Sequence, residues 1–559
     1  MNVADYIAQT LKERVRHVFG YPGRANLKLI DSFISGGLEY VQTCHEQAAA
    51  MAADAYSRIT GGLGACTSTS GPGATNLLTG LANAYFDSVP CIFLTGQDNF
   101  SHINKSNGAR QNGFQEVNCV AMSSPITKYS TLIKSAYEVP YKLSKALYLA
   151  FEARPGPVLL DVPIDIQFQD LDVARLRCFK PNTSPVQTMP PQSIEAVVRF
   201  LTQARRPVVL AGGGLRLAIA LDEFKTFVVR TGLPVVSTLN GLDSYTPSYG
   251  FAGLNGNTHA NLLINNADFL LVLGSRLALQ HAGKVRSDYT RAMVFQVDID
   301  PAEQNREFAS DLFINADLAL FLKNLNRELE SEKLPDWSGW IEVGRVWQEK
   351  YACNSCHNNA GGLDPVQLVS YVSEISRDRA VFTVDVGQNQ MWAAQGLRLK
   401  VGQRFLSSSG HGAMGYSLPA AIGAAIGSPG SPVVAFTGDG GLQMNSQELA
   451  VMAKRALDIK LIVFNNKTLG MIREIQDKYY GARHHGTARD RYSCPDLKLL
   501  ALSYGLDFFK ICRREDIGNL RNVLNRPGPV LIEVEINFNS TVLNRYDEAH
   551  IFKQEKIKD

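Results

Sequence analysis

Four short apolar runs, each stopped by a glycine or asparagine turn, constrain this chain more than any other feature. They are PVVLAGGG (207–214), DFLLVLGS (268–275), PVVAFTGDG (432–440) and KLIVFNN (460–466). Apolar and polar residues do not alternate in them, so both faces of each run need cover. That is the pattern of strands inside a parallel sheet flanked by helices on either side. Strand, turn and helix repeat in this order along the chain, which predicts an α/β fold of three doubly wound parallel-sheet domains. A length of 559 residues accommodates that number, at roughly 150 residues each. The expected blocks are 1–165, 190–330 and 360–545. Between the first two lies PNTSPVQTMPP (181–191), too rich in Pro, Ser and Thr for a regular element. Between the last two, SEKLPDWSGW suggests one amphipathic helix before the polar stretch CNSCHNNAGG. The charged tail after Arg545 is expected to fray or to fold over as a lid.

Charge excludes some function classes. With 56 basic against 53 acidic residues, the surface as a whole has no electrostatic footprint for nucleic acid or an anionic membrane. No run approaches the roughly 18 uninterrupted apolar residues of a membrane span. The start, MNVADYIAQTLKERV, lacks the charged-then-apolar order of an export signal, so a cytoplasmic protein is expected. Nine cysteines at this length read as reduced thiols. Cys353-Asn-Ser-Cys356-His357 has the spacing of a c-type haem attachment. Attachment needs export, and no second Cys pair is near to complete a zinc site, so the spacing reads as chance.

The chemistry concentrates in the third block. PVVAF ends at Thr437-Gly438-Asp439-Gly440-Gly441, a helical stretch SQELAVMAKRAL follows, and KLIVF ends at Asn465-Asn466. In a parallel sheet both strand ends open on one edge, where ligands of doubly wound folds sit. Asp439 and Asn466 would present two hard oxygens close together there, a set that with a phosphate suits Mg²⁺. The glycines let backbone N–H groups approach a diphosphate.

Gly438-Asp439-Gly440 followed by Asn465-Asn466 after one helix and one strand is similar to the thiamine diphosphate motif. Further stretches extend the likeness over about 1–545: His45-Glu46-Gln47, Ser70-Gly71-Pro72-Gly73-Ala74, Arg154-Pro155-Gly156-Pro157, Asp385-Val386-Gly387-Gln388, Met391-Trp392-Ala393-Ala394 and Gly412-Ala413-Met414-Gly415. The chain resembles the acetohydroxyacid (acetolactate) synthase large-subunit family. The resemblance implies a pyrimidine-binding first domain, a central domain of FAD type and a diphosphate-binding third domain. It implies that Glu46 hydrogen-bonds the aminopyrimidine of thiamine diphosphate, and that Met414 is the wedge holding that cofactor bent beside the backbone of Gly412. Val386, Gly387, Gln388, Asn389, Gly440 and Gly441 would cradle the diphosphate. Asp439, Asn466 and the carbonyl of Thr468 would hold Mg²⁺. Pro72, Asn76, Gly438, Gly470 and Met471 complete the implied cofactor contacts. For FAD, not a redox player in such enzymes, the implied contacts are Arg154, Gly212, Gly213, Gly214, Thr238, Leu239, Gly256, Gly274, Arg276, Asp298 and Asp317. Glu46 and Asp439 would come from different subunits, which implies a homodimer or homotetramer. A small regulatory subunit is a further implied partner.

The implied reaction is decarboxylation of pyruvate and transfer of its acetyl unit to a second 2-keto acid, giving 2-acetolactate. Phe114, Gln115 and Glu116 occupy the family's active-site positions, as does Lys128. Several residues depart from the pattern. Arg24 stands in Tyr21-Pro22-Gly23-Arg24-Ala25 where the synthases carry glycine, and its guanidinium could grip a carboxylate or phosphate. Ile475 replaces a tryptophan that shapes the acceptor pocket, and Asn389 replaces a histidine. In the central domain Asn255 replaces a histidine, and Arg276-Leu277-Ala278-Leu279-Gln280 replaces Arg-Phe-Asp-Asp-Arg. Arg24 and Ile475 would suit a bulkier anionic acceptor, such as the keto-sugar nucleotides of surface-polysaccharide synthesis. A non-ligating decarboxylase is another alternative, and a catalytically dead homologue a third, against which intact Glu46, Asp439 and Asn466 speak. His484-His485 reads as loop rather than a metal pair. The pathway, amino acid or sugar, is left open.

Overall fold

The computed structural model describes residues 1–103, 108–172, 177–181, 191–306, 308–351, 362–542, 544 and 549–557. Its strands form three all-parallel sheets. The first contains β1 (His17–Gly20), β2 (Glu39–Gln42), β3 (Gly64–Ser68), β4 (Cys91–Gln97), β5 (Tyr129–Leu132) and β6 (Val158–Pro163), in the order β2-β1-β3-β4-β6-β5. The second contains β7 (Pro207–Ala211), β8 (Val235–Ser237), β9 (Phe269–Leu273), β10 (Met293–Asp298) and β11 (Leu312–Asn315), in the order β11-β10-β9-β7-β8. The third contains β12 (Val381–Val384), β13 (Arg404–Ser407), β14 (Val433–Gly438), β15 (Ile459–Asn465), β16 (Asp507–Ile511) and β17 (Val530–Glu535). Its order, β13-β12-β14-β15-β17-β16, repeats that of the first sheet strand for strand. The likeness between these two blocks is therefore one of topology.

The continuous apolar runs are explained by cover on both faces. In β7, Val208 and Leu210 enter one core while Val209 and Ala211 enter another. In β15, Leu461 and Val463 face the first domain's side, whereas Ile462 and Phe464 join the core beneath Val366 and Trp392. Each such side chain contributes about 1.5–3 kcal/mol on leaving water.

The first and third domains share one core. The helix Glu46–Thr60, rich in Ala, crosses the helix Ser417–Gly427, rich in Ala and Gly, so their backbones touch. A side chain at Gly423 would run into the backbone carbonyl of Ala52.

Three local expectations are revised. The helix after β14 does not wait for Ser446: Asp439–Met444 is already helical, and a break at Asn445 separates it from Leu449–Lys454. The connector helix Ser338–Tyr351 is part of the central domain, because Trp340 and Trp347 are buried against β7 and β9 residues. Of the tail, residues 549–557 are described, and they are docked rather than frayed. Helix Ala549–Gln554 docks there, with Glu555 accepting from Trp347 Nε1 at 2.9 Å and Tyr351 Oη at 2.7 Å. Cys353, Cys356 and His357 lie outside the described residues, as do 182–190 of the first connector. Among the described residues no helix is long and apolar enough to cross a membrane.

Candidate active site

The C-terminal edge of the third sheet carries the candidate site. β14 and β15 are neighbours, with Gly438 opposite Phe464, so the residues just beyond them meet. Asp439 is buried, and its carboxylate accepts from the backbone N–H groups of Gly440 and Lys467 and from the hydroxyl of Tyr492. Its Oδ2 has no hydrogen-bond partner. Burial pushes this carboxyl up to about 6. An ionised oxygen enclosed without a donor is costly unless a cation meets it. Asn466 lies on the neighbouring turn, just after β15, donating Nδ2 to Gln388 Oε1 at 2.9 Å while its Oδ1 accepts from Thr468 N–H at 3.3 Å. The donor set is all oxygen, which suits Mg²⁺. Among the described residues no cluster of three His, Cys, Asp or Glu side chains could hold a metal. His484 pairs with Asp477 at 2.6 Å in the turn after helix Gly470–Tyr479, in keeping with a loop.

The turn before helix Gln388–Gly396 faces this pair. Gly387 has φ +135°, a conformation side chains rarely adopt. Asn389 donates to the Asp385 carbonyl at 2.8 Å and packs against Gly438, so it braces the turn. A side chain at Gly470 would strike Gln388, and one at Gly440 would meet Leu469 and Tyr492, so the backbone here is bare. Val386 lies beside Asp385, Gly441 packs on that carboxyl, and Met471 packs on the neighbouring core. The methyl of Met414 lies within 3.6 Å of a Cβ built on Gly440, which places the expected wedge beside the turn. A Cβ on Gly412 would meet only open space, at φ +69°.

Two residues that organise this edge escaped the motif reading. Asp385 is buried and accepts from Gly415 N–H (2.8 Å), Val386 N–H (2.8 Å) and Thr437 Oγ1 (3.0 Å), tying the Met414 segment to the sheet. Tyr492 reaches Asp439 from the loop after helix Gly470–Tyr479. Asp385 stood inside a quoted motif, and nothing local marked Tyr492.

In the first domain, Glu46 opens helix Glu46–Thr60 and is buried. Its Oε2 accepts from Asn76 Nδ2 at 2.9 Å, on the short helix that Pro72 begins. Gln115, at φ +58°, sits against Gly71. Phe114 is 66% exposed. Arg24 is neither buried nor free: its guanidinium, 55% exposed, lies 3.4 Å from the buried Asp98, which also pairs with His102 at 3.2 Å. Gly113 packs on Asp98 from the other side, so Arg24, His102 and the Phe114 loop form one rim. Lys128 is turned away, its ammonium held by the carbonyl of Glu152, and burial lowers it to about 8. Ile475, 42% exposed, shares a stripe with Ile472 and Tyr479 on helix Gly470–Tyr479.

A cavity of ≈ 770 Å³ opens between the central domain and the other two. Arg154, Gly213, Gly214, Thr238, Leu239, Gly274, Arg276, Asp298 and Asp317 line it, as do Asn255, Val386 and Gly412. Gly212 and Gly256 do not line it: Gly212 packs on Gly274 behind the wall and Gly256 on the Phe251–Gly253 turn. Arg154 is already engaged, at 2.9 Å from Asp300 and 2.8 Å from Glu303. Burial raises Asp298 to about 6.

Three family models match the chain: "Thiamine pyrophosphate enzyme, N-terminal TPP binding domain" over 1–122, "central domain" over 194–325 and "C-terminal TPP binding domain" over 385–534. The chain is 36% identical over 547 residues to the acetolactate synthase large subunit of Cyanidium caldarium, covering 94% of this chain and 92% of that one. It is 35% identical over 546 residues to the acetolactate synthase isozyme 2 large subunit of Escherichia coli K12, covering 96% of each. The acetolactate synthase large subunit of Lactococcus lactis is 35% identical over 550 residues, 97% of this chain and 93% of that one.

Proposed function

The chain belongs to the thiamine pyrophosphate enzymes and is a thiamine diphosphate-dependent enzyme of acetolactate synthase type, and from that premise we propose that pyruvate is its donor and a second 2-keto acid its acceptor. The observation that carries the site assignment is the unpartnered, buried Oδ2 of Asp439 beside Asn466. In this reading Asp439, Asn466 and the Thr468 carbonyl hold Mg²⁺ against the cofactor diphosphate. Val386, Gly387, Gln388, Asn389, Gly438, Gly440, Gly441 and Gly470 surround that diphosphate. When bound, thiamine diphosphate supplies a carbon acid that adds to a keto carbon and retains the electrons released as CO₂ leaves. Glu46, steadied by Asn76, holds a proton at the aminopyrimidine ring and so sets its tautomer. Met414 and the backbone of Gly412 would hold the pyrimidine of the cofactor. Phe114, Gln115 and Ile475 would shape the acceptor space.

The cavity is assigned to FAD in a structural role, with the dinucleotide along Gly213, Gly214 and Gly274. Its size lies within the usual range for ligand sites, and Asp298 and Asp317 offer acceptors to a ribose. Arg154 would act there through Asp300 and Glu303. The domain division 1–165, 190–330 and 360–545 is proposed with one change, the central block running on to Tyr351 because helix Ser338–Tyr351 packs on its sheet. A homodimer is proposed because Glu46 is held within its own domain by Asn76, while the third domain leaves Ile472, Ile475 and Tyr479 exposed beside the site. A small regulatory subunit is the further partner, since the relatives are named large subunits.

A second reading, acetyl transfer to a larger anionic carbonyl acceptor such as a keto-sugar nucleotide, is favoured by the half-exposed guanidinium of Arg24 on the rim. One incubation separates the two. Purified protein with thiamine diphosphate, Mg²⁺, FAD and pyruvate alone should give stoichiometric acetolactate at about 1 s⁻¹ or faster. Slow CO₂ release with little acetolactate would sink the keto-acid acceptor and leave the donor half.

A further inference from the structure

Asp87 closes the helix Leu78–Phe86 of the first domain, and its carboxylate is enclosed where all three domains meet. Oδ2 accepts from Arg58 Nη2 at 3.0 Å and from the backbone N–H of Ser409 at 3.0 Å. Oδ1 accepts from the backbone N–H of Gly410 at 2.8 Å and from Asn240 Nδ2 at 3.1 Å. Arg58 and Asp87 belong to the first domain, Asn240 to the central domain, and Ser409 and Gly410 to the third. Asn240 also accepts from Ser409 Oγ at 2.6 Å, and Arg58 Nη1 donates to the Ser407 carbonyl at 3.2 Å. The far end of the same segment is fastened too. Tyr416 donates to Asp54 at 2.7 Å, and Asp54 takes Arg58 Nε at 2.8 Å. Gly412 and Met414 lie between these two anchors.

We propose that Asp87 is a positioning residue for the segment 408–415, and that it couples the central cavity to thiamine diphosphate binding. The inference rests on the reading above, in which Gly412 and Met414 hold the cofactor pyrimidine and the cavity takes a flavin dinucleotide. Ser409 and Gly410 are hung on two carboxylate oxygens, and their height sets where Gly412 and Met414 stand. The same carboxylate holds Asn240, which lines the cavity with Asp87 and Ser409. A ligand pressing on that wall therefore acts on the cofactor segment through one group with two ordered sides. Only a carboxylate can serve, because each oxygen faces two N–H donors. An amide would present its own N–H₂ to one of those pairs. By linkage, a cavity ligand that orders Asn240 tightens thiamine diphosphate, and the reverse holds equally.

The test is a thiamine diphosphate titration at saturating Mg²⁺, without flavin and with saturating FAD. Bound cofactor is read by tryptophan quenching and by activation of pyruvate consumption. Asp87→Asn should raise the thiamine diphosphate dissociation constant about tenfold or more without flavin, with the pyruvate KM within about twofold of the original. In the unaltered protein FAD should tighten thiamine diphosphate about fivefold or more, and Asp87→Asn should reduce that factor below about two. Asp161→Asn, which removes another buried carboxylate of the first domain, should leave both quantities unchanged. Asn240→Ala, with FAD fluorescence still quenched on binding, should reduce the coupling below about two, and it decides the coupling if Asp87→Asn does not fold. A lower melting temperature with unchanged thiamine diphosphate affinity would make Asp87 a domain staple and overturn the proposal. Failure of the original protein to quench FAD fluorescence would overturn the flavin reading and the coupling. The tenfold effect measured without flavin would still decide the positioning role.

Discussion

Glu46 combines burial, a helix start and a single side-chain donor, Asn76. Glutamine fits that space and keeps the Asn76 contact, so Glu46→Gln isolates the charge. Turnover of pyruvate should fall about 10²–10⁴-fold, with the melting temperature within a few degrees of the original. Exchange of the cofactor C2 proton, followed by NMR, should slow in parallel. In the proposed reading Arg24 and Ile475 concern the acceptor. The double change Arg24→Gly, Ile475→Trp should shift product ratios toward small keto-acid acceptors in competition assays, and an unchanged ratio would remove both from the acceptor site. Residues of these kinds were legible in the sequence because they sit in short motifs. Asp87 was not, since its donors Asn240 and Ser409 lie 153 and 322 positions away. No local pattern announces a carboxylate whose donors come from another domain.

The helices that join the first and third domains are designed around missing side chains. Gly423 faces the Ala52 carbonyl with no space between. Gly423→Val should therefore force the helices apart at a cost of about 1–3 kcal/mol, seen as a melting temperature lowered by several degrees. On β6, Asp161 is fully buried, taking Thr95 Oγ1 at 2.7 Å and Gln97 Nε2 at 3.0 Å, and burial raises its carboxyl to about 7. In the unfolded chain it titrates near ~3.9. The native state thus holds more protons between these values. Its stabilising contribution is full below about pH 4 and is lost as pH rises through about 7, up to about 4 kcal/mol. Asp161→Asn, whose amide can meet both partners, should flatten that decline. Denaturation at pH 5 and pH 8 measures the difference. At this scale the strands were readable from apolar runs. The helix start at Asp439 was not, because a glycine-rich turn and a glycine-rich first helical turn look alike in sequence.

The whole molecule repeats one six-stranded topology at its two ends and inserts a five-stranded sheet between them. A solution mass of twice or four times the 61.3 kDa chain is expected. A monomer with full activity in sedimentation and assay would break the intersubunit pairing of Glu46 with Asp439. By itself the sequence determined the class of fold and put Asp439 and Asn466 at the ends of neighbouring parallel strands. Those depend on strand periodicity and on contacts within a few turns of chain. Only the tertiary structure decided that the first and third sheets share a strand order, that Arg154 is spoken for by Asp300 and Glu303, and that one carboxylate at Asp87 joins three domains. The physical reason is that hydrogen bonds and ion pairs act over about 3 Å in space, while the residues that make them are separated by whole domains in the chain.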